Sequence, residues 1–434
     1  MTAEDIRIIE REMDAIMEKF NRGHFDGQEY HNYSKTVRNA IYNNQFLHRK
    51  TRECQVAGCT QKSIARSHSI PKTSVLENIS SNGHLYTPEF DGSTGTPQIY
   101  MKRVGLSNAS VFPGFCIKHE NLFSGFEADG KINSVKDGLL QTYRTICKER
   151  VEIEIKLQIN KIAADTYKNA INKEAANLWE NAFKVNPNQI GIEKFSVDGI
   201  DHVLDKLNRY AAVISQPLSQ LQKFENSIYS WLLDSSADCD LQIHIVGIDF
   251  HVPVAICGFG SYGRLVGGQY KAEYLLMNVL PKKEAADIIC VALEESDPID
   301  EFLEYSFSNP VNILNMLESF MVNGSDQWYV TPEYWDNICN EKRDKILQDV
   351  LLADDSFLNE YKISIFDDIR KKMLLILEEN IRKERRNIPK DEQKRIDKEY
   401  TKLNSKDFDL IEDIQILTGI IQKKFNRSEQ STEK

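Results

Sequence analysis

Apolar residues recur at helical spacing over several long stretches of this chain. A capping box at residues 2–5, followed by apolar residues at intervals of three and four, predicts an amphipathic helix over residues 6–20. The same period in residues 135–179 and 200–233 predicts a helical middle region. We expect a break at Pro217 in the second stretch, because proline interrupts an α-helix.

A second pattern, rich in β-branched and apolar residues, marks three later stretches, residues 241–257, 274–280 and 287–293. These stretches predict the strands of a small sheet. Helical periodicity then returns in residues 299–320, 332–352 and 358–379. This combination of segregated helices and strands predicts an α+β protein.

A chain of 434 residues is longer than one hydrophobic core usually supports, so we expect several domains. Residues 1–136 are predicted to form an amino-terminal module, residues 137–236 a helical region, and residues 237–425 a carboxy-terminal α+β domain with the small sheet. Residues 426–434 are polar and predict a disordered tail. Within the first module, residues 80–114 are rich in Gly, Ser, Pro and Asn, which predicts turns between short strands.

The sequence also indicates in which cellular compartment we expect the protein. Apolar runs of the length that a membrane span requires are absent from the sequence, and its first residues are acidic where a secretory signal would be basic. We therefore expect a cytoplasmic protein that does not bind membranes. Eight cysteines scattered over this length do not suggest a disulfide framework, and a close cysteine pair in a reducing compartment favours a metal site.

The net charge of −11 is unevenly distributed. Between residues 35 and 72, eight lysines and arginines face only Glu53. Such a local surplus is typical of a phosphate-binding surface. The predicted nucleic-acid-binding residues are Arg49, Lys50, Arg52, Lys62, Arg66 and Lys72. The alternative is an ordinary solvated basic face that balances an acidic domain.

Four residues have the pairing that a structural zinc site requires. Cys54 and Cys59 form one close pair, and Cys116 and His119 form a second. Sequences supply the tetrahedral ligands of zinc as two such pairs on tight turns. Gly58 suits the first turn, because glycine permits the positive φ angle at which backbone amides can point at sulfur. We predict a zinc knuckle with these four ligands. The alternative is two buried cysteines and an unrelated Cys/His pair.

Residues 65–72, which follow the first pair, read Ala-Arg-Ser-His-Ser-Ile-Pro-Lys. With the zinc pairs, this stretch resembles the HNH endonuclease family, in particular its members with a treble-clef zinc knuckle. The match rests on His68, Ile70, Pro71 and Lys72, and it covers about residues 54–123. In that family the histidine is the general base for phosphodiester hydrolysis, the residue before it helps to hold a divalent metal, and an asparagine and a helix residue complete the site.

The resemblance implies catalytic roles for His68, Asn108 and Asn121, with Glu120 as another position that the pattern allows. The sequence departs from the family at Ser67, where an aspartate is usual, and in the longer spacing between the two zinc pairs. His68 could instead be a fifth candidate ligand of zinc or a structural histidine that hydrogen-bonds the knuckle. His84 could contribute to the site or be a turn histidine without a role.

The implied function is a metal-dependent endonuclease of nucleic acid, DNA more readily than RNA. Zn²⁺ would be structural and Mg²⁺ or Mn²⁺ catalytic. A role in bacterial defence against phage follows only from how HNH modules are commonly used. The alternative is a non-enzymatic zinc scaffold that binds nucleic acid or a protein. The acidic carboxy-terminal domain is predicted to contact a protein partner or to form an oligomer.

Two further motifs have more ordinary interpretations. Residues 258–263 match the dinucleotide fingerprint Gly-x-Gly-x-x-Gly, but the residues that follow are a poor helix start. We therefore predict a glycine-rich loop in a sheet. The aromatic group at residues 328–335 is predicted to pack in the core.

Overall fold

The computed structural model describes residues 50–91, 98–190, 202–233, 240–266, 269–293, 296–353, 355–384 and 386–403. The chain forms two compact units. The first contains Met1–Pro71 and Ser110–Asp240, and the second contains Lys72–Ala109 and Leu241–Lys434. The predicted helix over residues 6–20, Arg49 and the tail over residues 426–434 lie outside the described residues.

The described residues contain nine strands: β1 (Ser67–His68), β2 (His84–Asp91), β3 (Gln98–Gly105), β4 (Val111–Phe112), β5 (Leu241–Ile248), β6 (Val254–Val266), β7 (Gln269–Pro281), β8 (Ala286–Leu293) and β9 (Trp328–Val330). Their α-helices are α1 (Ile117–Glu120), α2 (Ser124–Asp129), α3 (Val135–Phe183), α4 (His202–Ser215), α5 (Leu218–Leu233), α6 (Asp297–Ser306), α7 (Pro310–Ser319), α8 (Pro332–Asp336), α9 (Asn340–Leu352), α10 (Asp367–Lys383) and α11 (Lys390–Leu403). Short 3₁₀ turns occur at Leu76–Ile79, Asn121–Phe123 and Pro187–Ile190, and a π-helix at Phe320–Gly324.

The first unit is a small module followed by long helices. The module contains the strand pair of β1 and β4, which we call the hairpin although residues 69–110 separate its two strands. β1 and β4 pair antiparallel, with Ser67 opposite Phe112. Helix α3 begins where the Ser134 hydroxyl accepts a hydrogen bond from the Asp137 amide, which is a standard amino-terminal cap. Helices α4 and α5 both pack on α3. The predicted helical middle is confirmed, and the chain breaks between α4 and α5 around Pro217 as expected.

The second unit is built on a seven-stranded antiparallel sheet in the order β3-β2-β9-β6-β7-β8-β5. Its buried core combines the apolar faces of the central strands with residues of α6, α7, α9 and the π-helix. The α+β class is confirmed. The predicted strand over residues 241–257 is in fact β5 and the start of β6, because the chain turns between Ile248 and Val254.

Residues 72–109 join the second unit, although the sequence had placed them in the amino-terminal module. The antiparallel pair β2 and β3 extends the large sheet through β9, with Tyr86 opposite Val330. Partly buried Tyr86, Ile99 and Met101 pack against the core of this unit. The glycine- and proline-rich composition of the segment indicates its turns. It does not indicate these apolar contacts, because the partner residues are far along the chain.

The fingerprint-like glycines belong to the sheet and do not open a helix, as predicted, but they lie inside strand β6 and not in a loop. A side chain at Gly258 would collide with Ser325, and one at Gly260 would come within 2.8 Å of the Phe320 ring. Glycine is needed here because the π-helix lies directly on the strand. The predicted aromatic core is also confirmed, since Trp328 and Trp335 are buried with ring centroids 5.8 Å apart.

Helix α10 begins later than the predicted stretch over residues 358–379. The backbone amides of Ile365 and Phe366 donate to a carboxylate oxygen of Glu318, at 2.6 and 3.0 Å. These bonds hold the chain in a loop before the helix. A pattern confined to one segment does not reveal a carboxylate supplied by another.

Candidate metal centre

The structure brings the four predicted zinc ligands together. One donor atom from each of Cys54, Cys59, Cys116 and His119 lies within 4.8 Å of all the others. The Nδ1 atom of His119 is 3.3 Å from the Cys54 sulfur and 3.5 Å from the Cys116 sulfur. The sulfurs of Cys59 and Cys116 are 4.0 Å apart. Cys54 and Cys116 are buried, while the other two ligands are partly exposed.

These separations fit a tetrahedral zinc ion. With Zn–S bonds of about 2.3 Å and Zn–N bonds of about 2.0 Å, two sulfurs lie roughly 3.8 Å apart and a sulfur and a nitrogen roughly 3.5 Å apart. The observed sulfur–nitrogen distances of 3.3 and 3.5 Å and the observed sulfur–sulfur distance of 4.0 Å are close to these values. Three thiolates and one imidazole also form a donor set that zinc prefers. The four side chains can therefore hold one metal ion, and a structural zinc is compatible with them.

The first pair lies on a tight turn. The amide of Cys59 donates to the carbonyl of Val56 at 3.0 Å, and the amide of Cys54 donates to the carbonyl of Gln61 at 2.9 Å. Gly58 has a φ angle of +75°, in the left-handed region that glycine adopts most easily. The predicted need for glycine at this position is confirmed. The turn folds both sulfurs to one side.

The second pair begins a helix. Cys116 directly precedes α1, and the His119 amide donates to the Cys116 carbonyl at 2.9 Å, so one helical turn places both donor atoms on the same side. Two hydrogen bonds join the two halves of the centre. The amide of Ile64 donates to the Phe115 carbonyl at 2.7 Å, and the amide of Cys116 donates to the Cys54 sulfur at 3.4 Å.

Without metal, the two buried thiols of the centre differ. Burial would raise the pKa of Cys116, but hydrogen bonds from the His119 backbone and the Cys54 side chain lower it below its usual value. Burial raises the pKa of the Cys54 thiol to about 11, and hydrogen bonds from the Cys116 and Val56 backbone only partly oppose this rise. A metal ion must therefore displace a proton from this cysteine. The charge of the ion would then offset the cost of holding a buried thiolate.

His68 lies in a well-anchored hairpin. The hydroxyl of Ser67 accepts a hydrogen bond from the Phe115 amide at 3.0 Å, and the amide of Ser69 donates to the Ser110 carbonyl at 2.8 Å. Both serines are buried, whereas His68 is partly exposed. The hairpin therefore fixes the backbone of His68 and leaves its side chain accessible. Ser67 itself has a role in holding the hairpin to the second zinc pair.

A buried cation and two carboxylates lie behind this hairpin. Arg144 of α3 is fully buried, covers the Phe123 ring at 4.0 Å and forms an ion pair with Glu127 at 2.7 Å. Burial raises the pKa of Glu120, while a hydrogen bond with Ser67 and the positive charge of Arg144 lower it. One carboxylate oxygen of Glu120 is buried without a hydrogen-bond partner among the described residues.

The other predicted catalytic residues are placed differently. Asn121 is exposed at the start of a 3₁₀ turn, and Glu120, its neighbour, faces inward towards Ser67. Asn108 is exposed in a turn of the second unit, where its amide donates to the Gly105 carbonyl at 2.8 Å. Both roles stay predictions.

The predicted nucleic-acid-binding residues fall into separate groups. Lys50, Lys62 and Arg66 are exposed in the first unit. Arg52 forms an ion pair with Glu154 of α3 at 3.2 Å, so part of its charge is balanced inside the unit. Lys72 belongs to the second unit, and Arg49 lies outside the described residues.

Protein-family models, curated proteins and solved structures were all compared with the chain, and none of them matches it. The resemblance to the HNH family therefore rests on the residues between 54 and 123. In the described part of the chain, every helix is too short or too polar to cross a bilayer.

Sequence reasoning missed the contacts that hold the knuckle on α3. The Gln55 carbonyl accepts from the Tyr143 hydroxyl at 3.3 Å, and its side-chain oxygen accepts from Arg150 at 2.7 Å. Arg150 also pairs with Glu225 of α5. The helical period predicted α3, but it did not indicate which polar residues of the helix face the knuckle.

Proposed function

We propose that the first unit is a metal-dependent endonuclease of nucleic acid, in which a structural zinc ion orders the hairpin that carries His68. The observation that carries the proposal is the convergence of the four metal ligands on either side of this hairpin. The order of the knuckle, the paired strands and the helix along the chain also supports the proposal, since it is the order that the HNH resemblance implies. A link between β4 and the knuckle through zinc would fix the histidine relative to bound nucleic acid.

His68 is the proposed general base. Its accessible side chain stands between two buried serines, so a water molecule and a phosphodiester can approach it. The imidazole would take a proton from the water as the water oxygen attacks phosphorus and the bond to the 3′-oxygen breaks. The departing oxygen takes up a proton from solvent, which leaves a 5′-phosphate and a 3′-hydroxyl.

Glu120 is the proposed anchor for a catalytic divalent cation. The carboxylate is the kind of hard oxygen donor that Mg²⁺ and Mn²⁺ prefer, and one of its oxygens is buried without a hydrogen-bond partner among the described residues. Its hydrogen bond with Ser67, the residue at which the HNH family usually has an aspartate, supports this role. When bound, the cation would supply charge stabilisation for the departing 3′-oxygen.

The test is cleavage of plasmid DNA and of RNA by the zinc-loaded protein in Mg²⁺ or Mn²⁺. We expect cleavage of DNA, a loss of about a hundredfold or more in His68→Ala, and a weaker cation dependence in Glu120→Gln. His251→Ala is the matched control, because His251 is a partly exposed histidine of the second unit to which no catalytic role is assigned. Equal cleavage by His68→Ala and the parent, or no cleavage by either, would contradict the proposal.

One observation favours a second candidate, a non-enzymatic zinc scaffold. Ser67 replaces the usual aspartate, and its hydroxyl already accepts the Phe115 amide. A scaffold needs the ordered surface but no cation beside His68. Binding of nucleic acid that persists in His68→Ala, without cleavage by any variant, would identify this second function.

A further inference from the structure

Arg150 of α3 connects the metal centre to another helix of the first unit. One terminal nitrogen of its guanidinium group donates to the side-chain oxygen of Gln55 at 2.7 Å and to the Gln55 carbonyl at 3.4 Å. The other terminal nitrogen donates to the carboxylate of Glu225 in α5. The guanidinium group therefore bridges the turn that carries the first ligand pair and a helix that carries none of the four ligands.

Gln55 directly follows the ligand Cys54 and is held on two sides. Its amide donates to the carbonyl of Gly114 at 3.0 Å, two residues before the ligand Cys116. Its carbonyl accepts from the Tyr143 hydroxyl at 3.3 Å. Gln55 is thus tied both to the segment that carries the second ligand pair and to α3. A change in either contact would move the backbone that carries the Cys54 sulfur.

The bridge lies in the interior of the first unit. The side chain of Arg150 is 19% exposed and that of Glu225 is 6% exposed. Tyr143 and Arg150 are two helical turns apart, so both reach Gln55 from one face of α3. A buried charge is costly when its partner moves away. A displacement of the guanidinium group at the knuckle is therefore resisted by the carboxylate of α5.

We propose that Arg150 is a positioning residue for the metal centre, through which metal binding and the packing of α5 on α3 strengthen each other. The proposal goes beyond the proposed function, because it needs the four ligands but no cleavage of nucleic acid. The anchored Gln55 holds the first ligand pair in place before the ion binds, which raises the affinity of the site. Since such coupling is reciprocal, a bound ion also holds Arg150 against Glu225.

The test is the zinc affinity of the full chain, measured by competition with a chromogenic chelator. Arg150→Gln would leave the buried Glu225 without its cation and disturb folding, so the test changes the two partners of Arg150 instead. We expect Gln55→Ala to weaken zinc binding about tenfold. Glu225→Gln should weaken it about fivefold, although Glu225 lies on a helix without a ligand. Because both substitutions break the same bridge, the double variant should lose less affinity than the product of the two factors.

Gln61→Ala and Glu152→Gln are the matched controls. Gln61 is an exposed glutamine that closely follows the first ligand pair, and Glu152 pairs with Lys148 of the same helix, α3, at 3.2 Å. Both controls should bind zinc like the parent. Circular dichroism checks that each variant is folded. Cobalt in place of zinc checks the ligand set, since the absorption of a tetrahedral cobalt site depends on its thiolates, and the spectrum should be the same in all variants.

Amide hydrogen exchange tests the coupling in the reverse direction. Zinc loading should slow exchange in α5 of the parent and should do so much less in Gln55→Ala. Parental zinc affinity in either Gln55→Ala or Glu225→Gln would overturn the proposal. So would losses that simply multiply in the double variant, or the same exchange in α5 with and without zinc. These measurements are independent of cleavage, so failure of the nuclease proposal leaves this one intact.

Discussion

Each unit of this protein contains a polar cluster that joins distant parts of the chain, and the two clusters differ in how their charge is balanced. In the first unit, three sulfurs and one imidazole converge without a cation of their own. In the second unit, the fully buried Arg370 pairs with Glu318 and Glu399. The first cluster can hold a metal ion, and an ion from solution would be needed to balance its thiolates. The charges of the buried ion cluster are balanced within the chain.

The buried ion cluster satisfies its members with hydrogen bonds as well as charge. Arg370 donates to Ser364 at 2.9 Å and to the Asn315 side chain at 2.6 Å. Lys402 of α11 also donates to Asn315, at 3.0 Å, and pairs with Glu360. Burying charges is costly unless they are paired and hydrogen-bonded, and this cluster meets both conditions. We therefore expect the stability of the first unit to depend on the concentration of metal ion. The stability of the second unit should depend on the buried ion pairs.

The largest effect we expect is that of metal removal. A strong chelator, or Cys116→Ser, should unfold the hairpin module of the first unit, because small zinc centres owe much of their folding free energy to the ion. Amide hydrogen exchange should show loss of protection in β1, β4 and α1, with strands β6 to β8 unchanged. Metal analysis should find about one zinc per chain in the parent. Cys339→Ser changes an exposed cysteine and is the matched control. Retained protection after complete removal of zinc would contradict the expected dependence.

Breaking the buried ion cluster should have the next largest effect. Arg370→Ala leaves the buried Glu318 without its cation and leaves Glu399 with Lys402, at 3.6 Å, as its remaining cation. Breaking a buried ion pair in this way typically costs about 3–5 kcal/mol. We expect a lower urea midpoint for the second unit and no dependence on zinc. Arg386→Ala removes an exposed arginine and should change stability by less than about 0.5 kcal/mol. Similar midpoints for the two variants would show that the cluster contributes little.

The two clusters also differ in how far the sequence predicted them. Zinc ligands must be particular residue types in close pairs on turns, so Cys54, Cys59, Cys116 and His119 could be identified from spacing alone. The ion cluster combines common charged residues from α7, α10 and α11, and helical periodicity does not indicate which of them meet. Its members were therefore missed.

The same physical difference explains the success and failure of the fold predictions. The helices and the strands β7 and β8 have local patterns that periodicity detects. The addition of β2 and β3 to the sheet depends on pairing with β9, more than two hundred residues later, and no local pattern reports such a partner. The position of His68 in an anchored hairpin likewise depends on Ser110 and Phe115, both far along the chain.

A glycine substitution in the second unit tests how much apolar packing contributes to stability independently of the buried ion cluster. In Gly260→Ala the added methyl group meets the Phe320 ring at 2.8 Å, which forces the strand away from the π-helix. Overpacking of this kind usually costs about 1–3 kcal/mol. Urea unfolding followed by tryptophan fluorescence measures the loss. In Gly125→Ala the new methyl group meets open space, and we expect no loss of stability. Equal midpoints for the two variants would show that the strand and the π-helix can separate freely.

The smallest effect concerns acid. Burial alone would raise the pKa of Glu360, but hydrogen bonds with Glu399, Lys398 and Lys402 hold this pKa at about 2, below the usual 4.5. The stabilisation from a lowered carboxyl pKa is complete above the unfolded value and is lost as pH falls towards the folded one. The second unit should therefore weaken between about pH 4.5 and 2. In Glu360→Gln this part of the pH dependence should disappear, while Glu379→Gln, at a solvent-exposed position of α10, should retain it. The measurement is the urea midpoint of the second unit as a function of pH over this range. The same pH dependence in Glu360→Gln and the parent would mean that another carboxyl group is responsible.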